Sequence, residues 1–237
     1  MTAAEPAKRR PGRPPRLSRD GILEAALGLL ERAPAEPLTV ARIAAEVDAV
    51  PAALYRHFAS LDELIDGVLG RVLGGVELEL RPRAPWPEQA RDWMVALREQ
   101  LLRYPAVLPM MGRRGRTSPA WLDATSVLIG VLERAGLAGA ALARAYLWVL
   151  ETTVGIVMQE ASLSLPEQIE YARAAQAEMS PEGRARMTKL GSHLRRLDGD
   201  AFFDFVVERT LAALAELAGS SARAARGRSP SRARPRR

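Results

Sequence analysis

The stretch "PAALYRHF" (51–58) places three hydrogen-bonding side chains next to one another. Tyr55, Arg56 and His57 can donate hydrogen bonds to phosphate oxygens, and the Arg56 guanidinium can also reach the edge of a guanine. The chain has no cysteine, its two histidines are at 57 and 193, and no paired carboxylates accompany them at a recognisable spacing. These residue types indicate binding to a polyanion and argue against an enzyme, a metal site or a cofactor.

The same segment combines bulky polar groups with two very small side chains. Leu54 and Phe58 are four residues apart and face the core of the predicted helix, whereas Ala52 and Ala53 are predicted to keep its outer face low. A low face, that is, one with only small side chains, lets a helix approach base edges closely, and an alanine methyl can contact thymine. An alternative remains open for the flanking tyrosine and histidine, which could instead cover a small helical core.

Capping residues and apolar periodicity place this segment in a helix-turn-helix. Ser18 is predicted to cap a first helix, and a second helix begins near Thr39. A tight turn follows at 47–50, and a third helix opens on Pro51. In this motif the second helix of the pair enters the major groove while the first crosses the DNA backbone, which Thr39 and Arg42 could clamp.

The remaining pattern is helical to the end of the globular part. A capping box of Ser60 and Glu63 opens a fourth helix, and further helices are predicted near 87–103, 105–111, 118–135, 138–163, 166–178, 182–197 and 200–218. The sequence therefore predicts an all-α protein. Its predicted parts are a disordered basic arm (1–16), a helix-turn-helix domain (17–66), a ligand-binding and dimerisation domain (67–218) and a disordered basic tail (219–237).

The stretch "LTVARIAAEVDAVPAALYRHFASLDELIDGVL" (38–69), preceded by "RPGRPPRLSRDGILEAALGLLE" (10–31), closely resembles the N-terminal domain of the tetracycline-repressor (TetR) family of bacterial transcription regulators. The hexad "ALYRHF" is the most specific part of this resemblance. The helix near 138–163 and "DAFFDFVVERTLAALAEL" (200–217) are more loosely similar to the C-terminal ligand-binding domain of the tetracycline-repressor branch. The resemblance implies a homodimer that binds a palindromic operator and leaves it when a small molecule enters the C-terminal domain.

Three residues depart from the family pattern. Asp48 stands in the turn where the family usually has glycine, and aspartate tolerates a left-handed backbone better than most residues. Val50 stands at the usual Ser or Thr N-cap of the third helix, and a missing cap costs about 1 kcal/mol. Leu61 replaces a common lysine at the head of the fourth helix, so we expect one phosphate contact to be lost.

Charge is distributed unevenly along the chain. The net charge is +6, of which residues 1–16 contribute +4 and residues 219–237 contribute +7, so that the part between them carries −5. Phosphate neutralisation dominates affinity for DNA, and we therefore expect the arm, with Arg10 and Arg13, to bind the minor groove. The C-terminal tail could engage a polyanion or serve solubility alone.

Two helices of the C-terminal part carry more apolar residues than one core can cover. Near 138–163 and 200–218 these residues lie on more than one face of each helix. A second copy of the same pair would bury the second face in a two-fold four-helix interface and would space two recognition helices about one DNA turn apart. Alternatively, both helices are central within a single subunit.

A pocket for a small apolar molecule is predicted between the C-terminal helices, because such sites are lined by large apolar groups with a few polar ones. The candidate lining residues are Arg103, Met110, Met111, Trp121, Trp148, Thr152, Met158 and His193. The methionines and tryptophans among them would serve equally as ordinary core residues.

Composition limits the remaining classes. The chain has no run of about 18 uncharged apolar residues, and its N-terminus lacks the apolar segment of a secretory signal, which favours a cytoplasmic protein without a membrane span. The sequence thus predicts a DNA-binding transcription regulator, most simply a homodimeric repressor of an unknown operator, released by an unknown effector. The alternative is a ligand-independent or non-specific DNA-binding protein that uses its basic tails.

Overall fold

The computed structural model describes residues 17–34, 36–74, 83–111 and 118–227. The predicted arm (1–16), with Arg10 and Arg13, lies outside the described residues. Throughout the described ranges the regular elements are helices, as the sequence predicts.

The described residues form ten α-helices and two short 3₁₀ helices. The α-helices are α1 (Arg19–Arg32), α2 (Val40–Glu46), α3 (Pro51–Leu54), α4 (Leu61–Gly74), α5 (Trp86–Arg103), α6 (Pro119–Arg134), α7 (Gly139–Ser162), α8 (Leu165–Ala175), α9 (Pro181–Leu194) and α10 (Gly199–Gly227). The 3₁₀ helices are Pro105–Met110 and Gln176–Glu178. We call α1 to α4 the head.

Two predicted caps fix the starts of the first two helices. The Ser18 hydroxyl oxygen accepts a hydrogen bond from the Gly21 amide at 3.1 Å. The Thr39 hydroxyl oxygen accepts one from the Arg42 amide at 3.2 Å. Each cap satisfies a backbone N–H group that a helix start otherwise leaves unpaired.

A single hydrophobic core runs from the head into the rest of the chain. α4 packs against both α1 and α6, and its backbone continues through residue 66, where the predicted domain boundary lies. The Gln100 side-chain amide donates to the Val72 carbonyl at 2.6 Å and ties α5 to α4. The buried residues of this core include Ile22, Leu30, Ile43, Leu54, Phe58, Val68, Trp93, Leu97, Leu128, Leu132, Val149 and Phe203.

α7 and α10 each bury one face and expose another apolar face. α7 packs against α5, α6 and α10 and buries Val149 and Val157, whereas Leu147 is 53% exposed and Trp148 is 43% exposed. On α10, Phe205 is 57% exposed. The alternative in which both helices are central within a single subunit is therefore wrong for the isolated chain.

By length and composition alone, α7 is the one described helix that is apolar enough to cross a membrane. A core helix of a soluble protein passes the same test of length and composition. The helix carries Arg144, Glu151 and Glu160, and the Arg98 guanidinium holds the Glu160 carboxylate at 2.8 Å. We therefore treat α7 as a packing helix.

The predicted end of the last helix, at 218, is wrong. α10 continues to Gly227, so residues 219–227 are helical rather than a disordered tail. The stretch "SSARAAR" (220–226) contains alanine and arginine, which are strong helix formers, and adding residues to an existing helix avoids the cost of nucleation. Residues 228–237 lie outside the described part of the chain.

Candidate nucleic-acid interface

The segment between α2 and α4 has the geometry of a helix-turn-helix. The amide of Ala49 donates to the Ala44 carbonyl at 2.9 Å and the amide of Asp48 donates to the Ala45 carbonyl at 3.3 Å. This pair of bonds is a Schellman motif, which requires a left-handed residue just past the helix. Asp48 supplies it with a φ of 50°, so the prediction that aspartate maintains the turn without glycine is confirmed.

α3 is a single turn that is anchored by burial rather than by a cap. Val50 has the extended backbone of an N-cap but makes no side-chain hydrogen bond, as predicted. Leu54 and Phe58 are 1% and 2% exposed, which confirms that they are the inward anchors. After Leu54 the chain continues in turns, with the amide of His57 bonded to the Leu54 carbonyl at 2.9 Å. Packing therefore positions the residues that face outward.

Five predicted DNA-binding residues lie on α3 and on the turn that follows it, and the structure places four of them at least partly in solvent. Ala52, Tyr55 and Arg56 are exposed, and His57 is half-buried. Ala53 is a correction, because its side chain is only 5% exposed and so cannot form part of the outer face. It precedes the equally buried Leu54 on a short helix that packs against α2.

Most arginines of the head are already neutralised. Arg19 pairs with Glu63 at 2.6 Å and lies 4.3 Å from the centre of the Phe58 ring. Arg32 pairs with Glu46 at 2.7 Å.

Arg42 is also held within the head. Its guanidinium pairs with Glu36 at 2.8 Å and donates to the Pro37 carbonyl at 2.7 Å. A phosphate clamp formed by Arg42 would therefore have to compete with Glu36. Among residues 17–70 as far as the structure describes them, Arg56 is the one arginine without an ion pair.

The capping box at the start of α4 differs in one bond from the predicted form. The Ser60 hydroxyl oxygen accepts a hydrogen bond from the Glu63 amide at 3.1 Å, but the Glu63 carboxylate accepts from the Ala59 amide at 2.6 Å. The Ala59 bond, followed by the Arg19 bond, lowers the pKa of Glu63 below its ordinary value. The carboxylate therefore links α1, the α3–α4 turn and α4, beside the exposed Leu61.

The predicted ligand-binding residue Arg103 contacts α1. Its side chain is 64% exposed and its guanidinium pairs with Glu31 of α1 at 2.8 Å. The buried Tyr104 donates its hydroxyl hydrogen to the same carboxylate at 2.7 Å. We call these three residues the Glu31 clasp. No local pattern in the sequence predicts this clasp, because its partners are separated by more than 70 positions.

The other predicted ligand-binding residues differ widely in exposure. Trp148 and Met158 are 43% and 52% exposed on α7, and His193 is exposed on α9. The remaining ones pack more closely: Met110 is buried, while Met111, Trp121 and Thr152 are partly buried.

Two clefts are formed by described residues. One, of about 500 Å³, lies between the α1–α2 connection, the 3₁₀ helix Pro105–Met110 and Ala161 of α7, and Met110 is part of its wall. The other, of about 300 Å³, lies where α7, α8 and α10 meet, beside Glu160 and Phe202. Neither of these two clefts includes the other seven predicted ligand-binding residues.

Comparison with known families matches both parts of the chain. Residues 22–68 match the family described as "Bacterial regulatory proteins, tetR family", and residues 80–218 match the "Tetracyclin repressor-like, C-terminal domain". The chain belongs to the TetR family. As a TetR-family protein it is a helix-turn-helix transcriptional regulator and not an enzyme.

Similar proteins agree with this TetR-family assignment along most of the chain. An "HTH-type transcriptional regulator" of Saccharopolyspora erythraea is 28% identical over 207 residues, which cover 86% of this chain and 87% of the relative. The Streptomyces coelicolor TetR family protein ActR, solved in complex with (S)-DNPA, has a TM-score of 0.70 at 22% identity and covers 86% of this chain and 100% of that one. BioQ, solved with its natural double-stranded DNA operator, has a TM-score of 0.55 at 23% identity, covering 77% and 100%.

Proposed function

We propose that this chain is a homodimeric transcriptional repressor that binds a palindromic operator and is released by a small-molecule effector in the cytoplasm. The observation that carries the proposal is the exposed turn of Ala52, Tyr55 and Arg56 on a helix-turn-helix. A low face next to a free guanidinium suits close approach to a major groove, in which arginine recognises guanine.

The solved relatives support the two ligand classes in this proposal. BioQ was solved with its operator DNA, and ActR was solved with (S)-DNPA. By analogy, we expect Thr39, Tyr55, Arg56 and His57 to contact operator DNA. We expect the effector to bind in the C-terminal part, at some of the eight predicted ligand-binding residues, of which Met110 lines the larger cleft.

The test is to sequence the genomic fragments that the purified full chain retains at physiological salt. A two-fold symmetric sequence should be enriched, because a dimer presents the same helix twice. Binding to that sequence should survive an excess of random duplex. If random duplex competes as well as the enriched sequence, the chain is a non-specific DNA-binding protein and the proposal is wrong.

The basic arm is proposed to supply much of the affinity, since Arg56 is the one unpaired arginine described in residues 17–70. Deleting residues 1–16 should weaken operator binding and flatten its salt dependence, because fewer counterions are then released on binding. Fluorescence anisotropy at several salt concentrations measures both effects. Deleting 228–237 instead provides the control for a loss of basic residues elsewhere, and an unchanged salt slope after the N-terminal deletion would contradict a role of the arm.

A further inference from the structure

The larger cleft lies between the head and the rest of the chain. One wall is the connection from α1 to α2, with Glu36, Pro37 and Leu38. The opposite wall is the 3₁₀ helix that follows α5, with Ala106 and Pro109, and Ala161 of α7 also lines the space. A cleft of about 500 Å³ is within the size range of small-molecule sites in proteins.

The Glu31 clasp joins the two walls at one end. Glu31 lies near the end of α1, just before the first wall, and Tyr104 immediately precedes the second wall. The hydroxyl of Tyr104 and the guanidinium of Arg103 hold the Glu31 carboxylate at 2.7 Å and 2.8 Å. The clasp therefore holds the two walls together at this end of the cleft. When a molecule enters, we expect the residues that lead into α2 to move.

The first wall is bonded directly to α2, the helix that precedes α3. Leu38 is followed by Thr39, the N-cap of α2. The guanidinium of Arg42 on α2 reaches back to the Pro37 carbonyl at 2.7 Å and to the Glu36 carboxylate at 2.8 Å. α2 in turn packs against α3. A shift of this wall therefore moves the pair of helices that must fit the groove together.

The lining chemistry selects the kind of molecule that fits. Pro34, Pro37, Pro105 and Pro109 contribute apolar rings and no backbone N–H groups, so the polar atoms that they offer are carbonyl oxygens. Glu36, the charged residue of the lining, adds an acceptor and is already paired with Arg42. An uncharged, mostly apolar molecule that donates a hydrogen bond matches this acceptor-rich, apolar wall.

We propose that this cleft between the head and the 3₁₀ helix is a binding site for an uncharged, mostly apolar hydrogen-bond donor, and that its occupation lowers affinity for operator DNA. The inference rests on the proposed function, because it assigns the effector a place and a route to α2. The occupant shifts the first wall, and the Arg42 bonds to Glu36 and to the Pro37 carbonyl carry that shift to the start of α2.

The absence of cysteine from the chain permits a site-specific test on the full-length protein. Ala106→Cys places a single thiol on the wall, and benzyl methanethiosulfonate then attaches a phenyl group there by a disulfide bond. The thiol attacks the reagent's sulfenyl sulfur and methanesulfinate leaves, and dithiothreitol reverses the reaction. Ala161→Cys provides a second attachment point if the first variant folds poorly, and Ala185→Cys on the exposed face of α9 is the matched control.

Two quantities are measured before and after attachment. One is saturable binding of phenylnaphthylamine, an uncharged aromatic amine with one N–H donor, followed by its fluorescence. The other is affinity for the enriched DNA sequence. We expect the phenyl group at 106 to remove a saturable dye site and to weaken DNA binding at least tenfold, both restored by dithiothreitol, and the control to change neither.

The outcomes separate this inference from the function on which it rests. If the unmodified chain cannot distinguish an enriched sequence from random duplex, the proposed function fails, and with it the route from the cleft to operator DNA. If the unmodified chain does distinguish them, yet the modified chain retains either its dye site or its DNA affinity, the cleft proposal alone is overturned.

Discussion

At the scale of single residues, ion pairing within the head decides which arginines are available to bind DNA. Arg19, Arg32 and Arg42 each hold a carboxylate of the head within 3 Å, so that DNA must compete with an internal partner for each. Arg56 is exposed and makes no ion pair with the described residues. Its guanidinium can therefore bind a phosphate or a guanine without first breaking an existing ion pair.

Replacing Arg56 with alanine should weaken operator binding by about 1–3 kcal/mol, the range for losing a good guanidinium contact to a base. Fluorescence anisotropy with a labelled operator duplex measures the change. The control is Arg186→Ala on α9, where the guanidinium pairs with Glu182 in an exposed contact, and we expect no effect. An Arg56 variant that binds as tightly as the wild type would remove this residue from the interface.

Local chemistry made several site residues predictable. The left-handed Asp48, the uncapped Val50 and the buried Leu54 and Phe58 follow from residue type and spacing. Ala53 was misplaced because an alanine is equally acceptable in a core or on a surface, so its type carries no signal.

The bonding partners of charged side chains were not predictable from the same information. The sequence marks Arg42 as a basic residue at a helix start but does not reveal that Glu36 and the Pro37 carbonyl occupy its guanidinium. The Glu31 clasp joins residues distant in the chain, which no periodicity indicates. The fold class was accessible because helix caps and apolar spacing are local, whereas the binding clefts depend on tertiary packing.

At the scale of elements, α3 is the least supported helix of the head. It spans only Pro51–Leu54 and has no side-chain cap, so its position depends on the burial of Leu54 and of the following Phe58. Isolated helical turns are unstable because nucleation fixes several residues for few hydrogen bonds. The core beneath α3 therefore stabilises this helix.

Substituting Val50 with threonine should stabilise the head by about 1 kcal/mol, because a threonine hydroxyl can accept a hydrogen bond from the amide of Ala52 or Ala53, the positions that an N-cap side chain serves. The extended backbone of Val50 already suits an N-cap, and its side chain is 65% exposed, so little burial is lost. Urea denaturation measures the free energy of unfolding. Val50→Ala lacks the hydroxyl and is the control; a gain in both variants, or in neither, would show that the missing cap is not the cause.

At the scale of the whole molecule, head and C-terminal helices are held together by α4 and by the Glu31 clasp. The pKa of Glu31 is lowered chiefly by the Tyr104 hydroxyl bond and then by Arg103. The pKa of Tyr104 is raised by its burial and by Glu31. The Glu31 contribution is therefore present above the ordinary Glu pKa of 4.5 and is lost as pH falls through the lower folded pKa. The Tyr104 contribution is present below the ordinary Tyr pKa of 10.0 and is lost as pH rises through the higher folded pKa.

Glu31→Gln should lower the melting temperature at about pH 7, and the difference from the wild type should shrink at about pH 3.5, because below the ordinary Glu pKa of 4.5 the unfolded chain binds a proton that folded Glu31 resists. Thermal denaturation at both pH values measures it. Glu133→Gln, at an exposed position on α6, is the control, and its difference should be the same at both. A Glu31 variant that melts like the wild type at about pH 7 would mean that the clasp adds no stability.

The exposed apolar face of α7 and α10 is large for an isolated chain. We expect Trp148→Glu combined with Phe205→Glu to convert a dimer into a monomer, because charges on both helices would have to be buried in the two-fold interface. Light scattering coupled to size exclusion measures the mass. Tyr171→Glu on α8, where the side chain is 67% exposed, should leave the mass unchanged. A wild-type chain that is monomeric, or a double variant that stays dimeric, would contradict this interface.

α8 and α9 contain no buried residue, although they form a substantial stretch of the C-terminal part. Changes in their length or sequence therefore remove few contacts from the core, and inserted segments should be tolerated there. This hairpin is consequently a suitable attachment point for a fluorescent reporter or a fused domain, which could follow the regulator without disturbing the surface proposed for DNA or the larger cleft.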